Sequence, residues 1–534
     1  MAALATASSA LADHGSEAGS GGPYVAPEPE RAPPQRGKFW EVSPHYRHEV
    51  WLVDQSNTNG QTFGGTIYIY QDEALRRNAG TAKPFVIDLG AEVNELCLQE
   101  TGASPVRPHM IVFNNANTHA ALAFVASGHV VIFDAAKRKP LRCFRTEVGS
   151  GGVRQAHAVW PAPDDSYILV ANQNGKKFER IRTDYSTNTF AQEPDATIDL
   201  QNCTTPTGAP CEAVGVRPDN APICPFVPDI GFPAYISLRG GGMLVVDPLS
   251  TPMKVLSEYD ADHIPRDGCG FVQASGWIFG NGGGGNPANP DGWFIYRLPE
   301  GGPDVYDAAR AELNFPLVDE IAHDDNAPRD AHGVAKSKDE KFVYFFDRAA
   351  NVVEIYNAAT GNYFATQNLV SSFSADPTPD LAGEAPDGKY FYLSMRGPLP
   401  LSGDPHASTG STPGLLVAEV LPNRHLALRG AAYIDNTDAD GVQRADGHGI
   451  RVRRLLDSAE CGPQRGRPPI VRHDRDRDRH KDRKKDWYRF SQGRYDGFSR
   501  AKEAIKRGLD RGNDRNDERD KDRGRDHDND RDRR

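Results

Sequence analysis

The sequence predicts an all-β chain, a seven-bladed β-propeller closed by a C-terminal strand that joins the N-terminal blade, with disordered termini. Three observations carry this. Short β-branched and aromatic runs recur in groups of four. The turn after the first run of a group repeats its chemistry. The two ends of the repetitive region are complementary fragments of one group, so joining them closes a ring and hides both sheet edges.

The groups can be read in order. HMIVFNNA, HAALAFVA, HVVIFDA and KPLRCFRT follow Arg107. HAVWPAP, SYILVANQ, KFERIRTDY and DATIDL make the next unit. EAVGVRP, PAYISLRG, GMLVVDP and MKVLSEYD make a third, with a long insertion after Arg217. CGFVQA, GWIFGNG and GWFIYRLP form a fourth, interrupted by a glycine-rich loop from Gly282 to Gly285. HGVAKSK, KFVYFFDR, NVVEIYNA and NYFATQNL form a fifth. DLAGEAP, KYFYLSMR, GLLVAEVL and HLALRGAAYID form a sixth. HGIRVRRL near residue 448 is a lone first strand, and EVWLVDQ, GTIYIYQ and KPFVIDL near the N-terminus lack one. The recurring turns are Pro163-Asp164-Asp165, Lys338-Asp339-Glu340 and Pro386-Asp387-Gly388. Four short strands per unit is the make-up of a propeller blade.

Glycine (52) and proline (40) are abundant among 534 residues, as many turns require, and hydrophobic residues are only 38%. No apolar run approaches a membrane span. The organisation divides at about residues 37 and 460. Residues 1–37 read as disordered or as a remnant signal segment, with Ala10-Leu11-Ala12 before Asp13 resembling a cleavage site. Residues 38–460 are the propeller, and 461–534 are an Arg/Asp-rich disordered tail with one short amphipathic piece, 499–510. From Gln464 onward there are 25 basic and 17 acidic residues, net +8. The remainder therefore has 37 and 56, net −19. An acidic body is unsuited to phosphate contacts. The tail, with Trp487, Tyr488, Phe490 and Tyr495 among its charges, reads first as a solvated segment, with polyanion or RNA binding as the weaker reading. Secretion is the favoured localisation, with the cytoplasm as the alternative. Seven cysteines leave one thiol free or shared. A loop disulfide is expected among Cys203, Cys211 and Cys224.

Aligning the units at the start of their first strands brings out the candidate site. The residues there are His109, His157, Glu212, Cys269, His332, Asp380 and His448. A blade's first strand is innermost, so these seven should ring one mouth of the central channel. Each is a possible metal ligand. Imidazole suits zinc, copper, nickel and iron, and thiolate favours softer ions. Three or four such groups leaning inward suit a copper or zinc ion with an open coordination position. Two other readings stand beside this one: histidines that bond a neighbouring backbone group and hold the turn, and acid–base catalysis without metal.

The repeated turns and the run AHAVWPAPDDSYILVANQNG resemble the YVTN/lactonase-like seven-bladed propeller superfamily over roughly residues 45–455. That superfamily includes the propeller of nitrous-oxide reductase and methylamine-dehydrogenase-like domains. In nitrous-oxide reductase a histidine ring at such a mouth holds a copper cluster. The resemblance implies that role for His109, His157, His332 and His448. Three slots here are not histidine and no cupredoxin-like domain follows, so nitrous-oxide reduction is not expected.

The leading expectation is a metal-binding, redox-capable propeller that meets a small molecule or protein at its mouth. The alternatives are a non-catalytic interaction scaffold and a lactonase-like hydrolase with Glu212 or Asp380 as base. Lesser candidates are a calcium-like turn at Asn436–Gly441, anion-holding arginines at Arg239 and Arg396, and His406 in a long loop.

Overall fold

The structure, a computed structural model, describes residues 48–262, 264, 268–282, 293–299, 317–321, 330–401 and 409–455. The N-terminal segment, the tail with its aromatics and its 499–510 piece, Cys461, His406 and most of the glycine-rich loop lie outside the described residues.

Seven antiparallel sheets follow one another along the chain. Blade I holds β1 (His48–Asp54), β2 (Thr66–Gln71) and β3 (Phe85–Asp88). Blade II holds β4 (Pro108–Phe113), β5 (His119–Phe124), β6 (His129–Asp134) and β7 (Lys139–Arg145). Blade III holds β8 (Ala156–Pro161), β9 (Tyr167–Asn172), β10 (Lys177–Asp184), β11 (Thr189–Gln192) and the short β12 (Ile198–Asp199). Blade IV holds β13 (Pro222–Phe226), β14 (Ala234–Leu238), β15 (Met243–Asp247) and β16 (Lys254–Tyr259). Blade V holds β17 (Phe271–Ala274), β18 (Trp277–Gly282), β19 (Trp293–Pro299) and β20 (Leu317–Ile321). Blade VI holds β21 (Ala331–Lys336), β22 (Phe342–Asp347), β23 (Val352–Asn357) and β24 (Tyr363–Asn368). Blade VII holds β25 (Pro379–Glu384), β26 (Tyr390–Met395), β27 (Gly414–Val420) and β28 (Leu426–Tyr433). The final strand, β29 (Gly447–Arg454), pairs with β1 and becomes the inner strand of blade I. This is the ring closure that the two chain ends predict.

The middle strands are largely apolar because both faces are covered. β5 and β6 are buried at every position. Their side chains join those of the adjacent blade, as where Trp51, Ile67 and Ile69 of blade I pack with Ile111, Leu122 and Phe133 of blade II. Tyr344 and Phe346 of blade VI meet Phe391 and Leu393 of blade VII in the same way. The core is thus a series of interblade seams. Burying such a side chain stabilises the fold by roughly 1.5–3 kcal/mol. In the recurring turns the third residue lies in the left-handed region: Asp165 at φ 61°, Glu340 at 55° and Gly388 at 73°. Each donates its N–H to the carbonyl three residues earlier. The Asp-Asp, Asp-Glu and Asp-Gly pairs therefore mark one turn geometry.

Three expectations need correction. The inner strand of blade IV is Pro222–Phe226, not EAVGVRP. Residues 203–217 are a loop, tied by the Cys203–Cys211 disulfide and by Arg217, whose guanidinium donates to the carbonyls of Pro210 and Cys211. The fourth strand of blade III is Thr189–Gln192, and Ile198–Asp199 only extends that sheet. Three short helices were not foreseen: α1 (Asp72–Asn78), α2 (Leu89–Glu92) and α3 (Asn94–Thr101), the last docked to blade II through the Cys97–Cys143 disulfide. Among the described residues, no helix is long and apolar enough to cross a membrane.

At the axis the inner strands pack backbone against backbone. A Cβ on Gly270 would lie 2.5 Å from the His332 carbonyl oxygen, one on Gly333 2.5 Å from that of Asp380, and one on Gly449 2.3 Å from that of His109. No real Cβ approaches an oxygen so closely, so glycine is required there. Gly449→Ala is expected to force β29 away from β4 and cost about 1–3 kcal/mol; urea unfolding of the variant against the parent measures it, and an unchanged midpoint would contradict the close approach.

Candidate functional site

The inner strands do not pair regularly at their starts. In six blades the register slips by one residue at that point, leaving a bulge that contains His109–Met110, His157, Ile223–Cys224, His332–Gly333, Asp380–Leu381 and His448–Gly449. In blade V, Cys269–Gly270 stand just before β17. A bulge re-aims a side chain that regular pleating would send into a seam. This is how the sequence-aligned residues come to converge. The slot in blade IV belongs to Ile223, so Glu212 is misplaced in the expected ring. It pairs with Lys176 at 2.6 Å, in the loop beyond the strand start.

The remaining six do gather, though as two groups rather than one ring. In the first, donor atoms of His332, Asp380 and His448 lie within 4.8 Å of one another. In the second, the same holds for His157, Cys224 and Cys269. His109 lies between them. Its ring centroid is 3.8 Å from that of His448 and 4.6 Å from that of His157. Cys269 is not a free thiolate, because it forms a disulfide with Cys224 that ties blade IV to blade V.

Asp380 is the hub of the first group. It is fully buried, and its oxygens receive Arg348 and Arg396, each at 3.0 Å. His448 Nδ1 lies 2.5 Å from Oδ2. His332 Nδ1 approaches Oδ1 to 2.6 Å, outside hydrogen-bonding alignment. Burial alone would raise this carboxyl. Instead His448, Arg348, His332 and Arg396 hold it well below the usual carboxylate range. It is therefore an anchor that stays ionised. Arg348 also binds Asp330, and Arg396 grips both oxygens of Asp446 at 2.6 and 2.8 Å. The Asp446 N–H donates to Asp54.

Two of the imidazoles, those of His448 and His109, are held neutral. Burial, outweighing Asp380, pushes His448 down to about 4. Burial and three neighbouring histidines push His109 well below its ordinary value. His448 donates Nδ1–H to Asp380, so its Nε2 carries a lone pair. That nitrogen is 3.0 Å from His109 Nε2. His109 Nδ1 is buried without a hydrogen-bond partner. His157 donates Nδ1–H to the Ile223 carbonyl at 2.9 Å.

Of the lesser candidates, Arg396 lies in the cluster, whereas Arg239 pairs with Asp219 near the surface. The Asn436–Gly441 segment is a hydrogen-bonded turn, in which Asp438 accepts from the backbone of Asp440 and Val442 and pairs with Arg444. Sequence reasoning missed Arg348, Cys224 and Met110. The available signal for Arg348 was an arginine directly after the second strand, shared with Arg239 and Arg396.

No family model matches this chain, and no curated protein matches it. Solved structures do. A Lactobacillus plantarum protein is 14% identical, with 77% of this chain and 100% of that chain covered and a TM-score of 0.49. The Pseudomonas aeruginosa periplasmic gluconolactonase is 12% identical over 78% and 87%, with a TM-score of 0.38. A dihydro-haem d1 dehydrogenase is 11% identical over 80% and 79%, with a TM-score of 0.42. At these identities the likeness concerns the propeller alone, and the site is read from its own residues.

Two outcomes test the cluster. Arg396→Met leaves Asp380 and Asp446 each short of a cation, and should cost about 3–5 kcal/mol in urea unfolding. A loss under 1 kcal/mol, roughly that of a surface pair, would contradict the burial. Burial pushes Asp54 up to about 7 from 3.8, so folding takes up a proton between those values. That contribution is present below the unfolded value and lost as pH rises towards 7. Asp54→Asn should therefore gain stability relative to the parent as pH climbs through this window, read as the difference between their urea midpoints.

Proposed function

We propose that the protein is a metal-binding propeller in which His109, His332 and His448 hold one copper or zinc ion on the axis, with Asp380 orienting the ring of His448. The observation that carries this is the 3.0 Å separation of His109 Nε2 and His448 Nε2, the second backed by a carboxylate. Two donors on one tetrahedral ion with bonds of roughly 2.0–2.1 Å stand about 3.3 Å apart, a few tenths of an ångström wider than this pair. Ligation needs neutral imidazole, which burial supplies. A carboxylate behind the far ring nitrogen is the usual support for a ligating histidine. An ion held there with an open position would polarise a substrate oxygen or, if copper, exchange one electron.

The carboxylate-oriented imidazole also supports a second reading, acid–base catalysis of the lactonase type by the His448–Asp380 pair without metal. Asp380 itself is too firmly held as an anion to be the base. The three disulfides support an oxidising compartment and hence an extracytoplasmic setting.

Elemental mass spectrometry of the full chain, purified without chelator, is the test. The expected result is near-stoichiometric copper or zinc, lost in a folded His109→Gln/His448→Gln variant. A parent that is empty and takes up neither ion on reconstitution would overturn the metal reading. Lactone hydrolysis by that empty parent would favour the second. Titrating thiols in the same preparation, isolated from its own cells, checks the compartment: all seven cysteines reactive would argue against it.

A further inference from the structure

The second group on the axis has a chemistry of its own. Met110, His157, Cys224 and Cys269 come from four consecutive blades and end in one place. The Met110 thioether sulfur lies 3.8 Å from Cys224 Sγ and 3.5 Å from Cys269 Sγ. A ring nitrogen of His157 and both cysteine sulfurs are within 4.8 Å of one another. Met110, Cys224 and Cys269 are buried, and His157 is half-buried and fixed by its bond to the Ile223 carbonyl. A buried disulfide needs only apolar packing around it. Here two of its contacts are a thioether and an imidazole, both donors that hold soft ions. Any two sulfur ligands of a tetrahedral ion, with bonds of roughly 2.3 Å, stand about 3.7 Å apart. The two Met110–cysteine separations already match that spacing.

We propose that Cys224–Cys269 is the closed form of a soft-metal site, and that its reduction opens a copper(I) site made of two thiolates, the Met110 thioether and the His157 imidazole. A dithiol reductant supplies two electrons, breaks the Cys224–Cys269 bond and closes to its own cyclic disulfide, leaving two thiols. Copper(I) then displaces the two thiol protons to solvent, and no further oxidant or reductant is needed. The inference uses different donors from the imidazole site and stands without it.

The experiment uses the full chain, before and after dithiothreitol treatment and anaerobic desalting, titrated with copper(I) against a chromogenic copper(I) chelator. The expected result is tightly held copper(I) after reduction, with ultraviolet thiolate-to-copper absorption, one equivalent of which depends on Cys269. Cys269→Ser should lose that equivalent while keeping the Cys97–Cys143 and Cys203–Cys211 pairs, which reduction also exposes. Met110→Leu, nearly isosteric and expected to fold, should weaken the binding. His448→Gln should keep it, which separates this site from the imidazole one. Equal uptake by reduced parent and Cys269→Ser would overturn the proposal. So would a Cys224–Cys269 bond that dithiothreitol leaves intact in the folded protein, or a Met110→Leu variant that binds copper(I) as tightly as the parent.

Discussion

Seven strands meeting on one axis leave little room, and most of the centre of this molecule follows from that crowding. Side chains cannot be placed freely there. At three of the blade junctions the neighbouring backbone sits where a Cβ would be, and glycine at 270, 333 and 449 is the consequence. At 333 and 449 the residue just before the glycine is one that the bulge turns inward, and Cys269 holds the same place ahead of β17. Close approach and side-chain aim are thus two results of the same local geometry. The pairs Cys269-Gly270, His332-Gly333 and His448-Gly449 are its trace in the sequence.

The crowded centre also buries polar groups, which is tolerated where charges are paired and hydrogen-bonded. Asp380 is matched from three blades at once: Arg348 and His332 from blade VI, Arg396 from its own, and His448 from the closing strand. Arg396 also pairs with Asp446, and the Asp446 N–H donates to Asp54 at the end of β1. These links span the seam where the ring is joined. A charge network there resists opening in a way that apolar packing, which tolerates sliding, does not. The same network fixes the orientation of His448, so the stability of the closure and the readiness of the imidazole are one arrangement.

The blades were legible because their strands are buried on both faces and read as short, continuous apolar runs between turn residues. The closure was legible because the missing strand at one end had a counterpart at the other. Blade IV was misread because its inner strand, PICPF, carries two prolines, which argue against a strand by the usual signs, whereas EAVGVRP imitates one. A bulged inner strand that donates little on one side accommodates those prolines. Four histidines and Asp380 could be placed by alignment alone. Their division into two groups could not, since it depends on which neighbour each bulge faces. The Cys224–Cys269 bond links positions 45 residues apart, and no spacing rule selects that pairing from the alternatives.

The closing strand has a consequence for how the molecule is made. β1, β2 and β3 emerge from the ribosome early, yet their sheet lacks its inner strand until residues 447–454 arrive. For nearly the whole of synthesis the first blade waits with an open edge. The same late segment brings Asp446 and His448, so the ring and its central imidazole are completed in one step. A chain released before that point has neither a closed circle nor the donor pair, and the cell's proteases would meet an unpaired edge rather than a finished but empty centre.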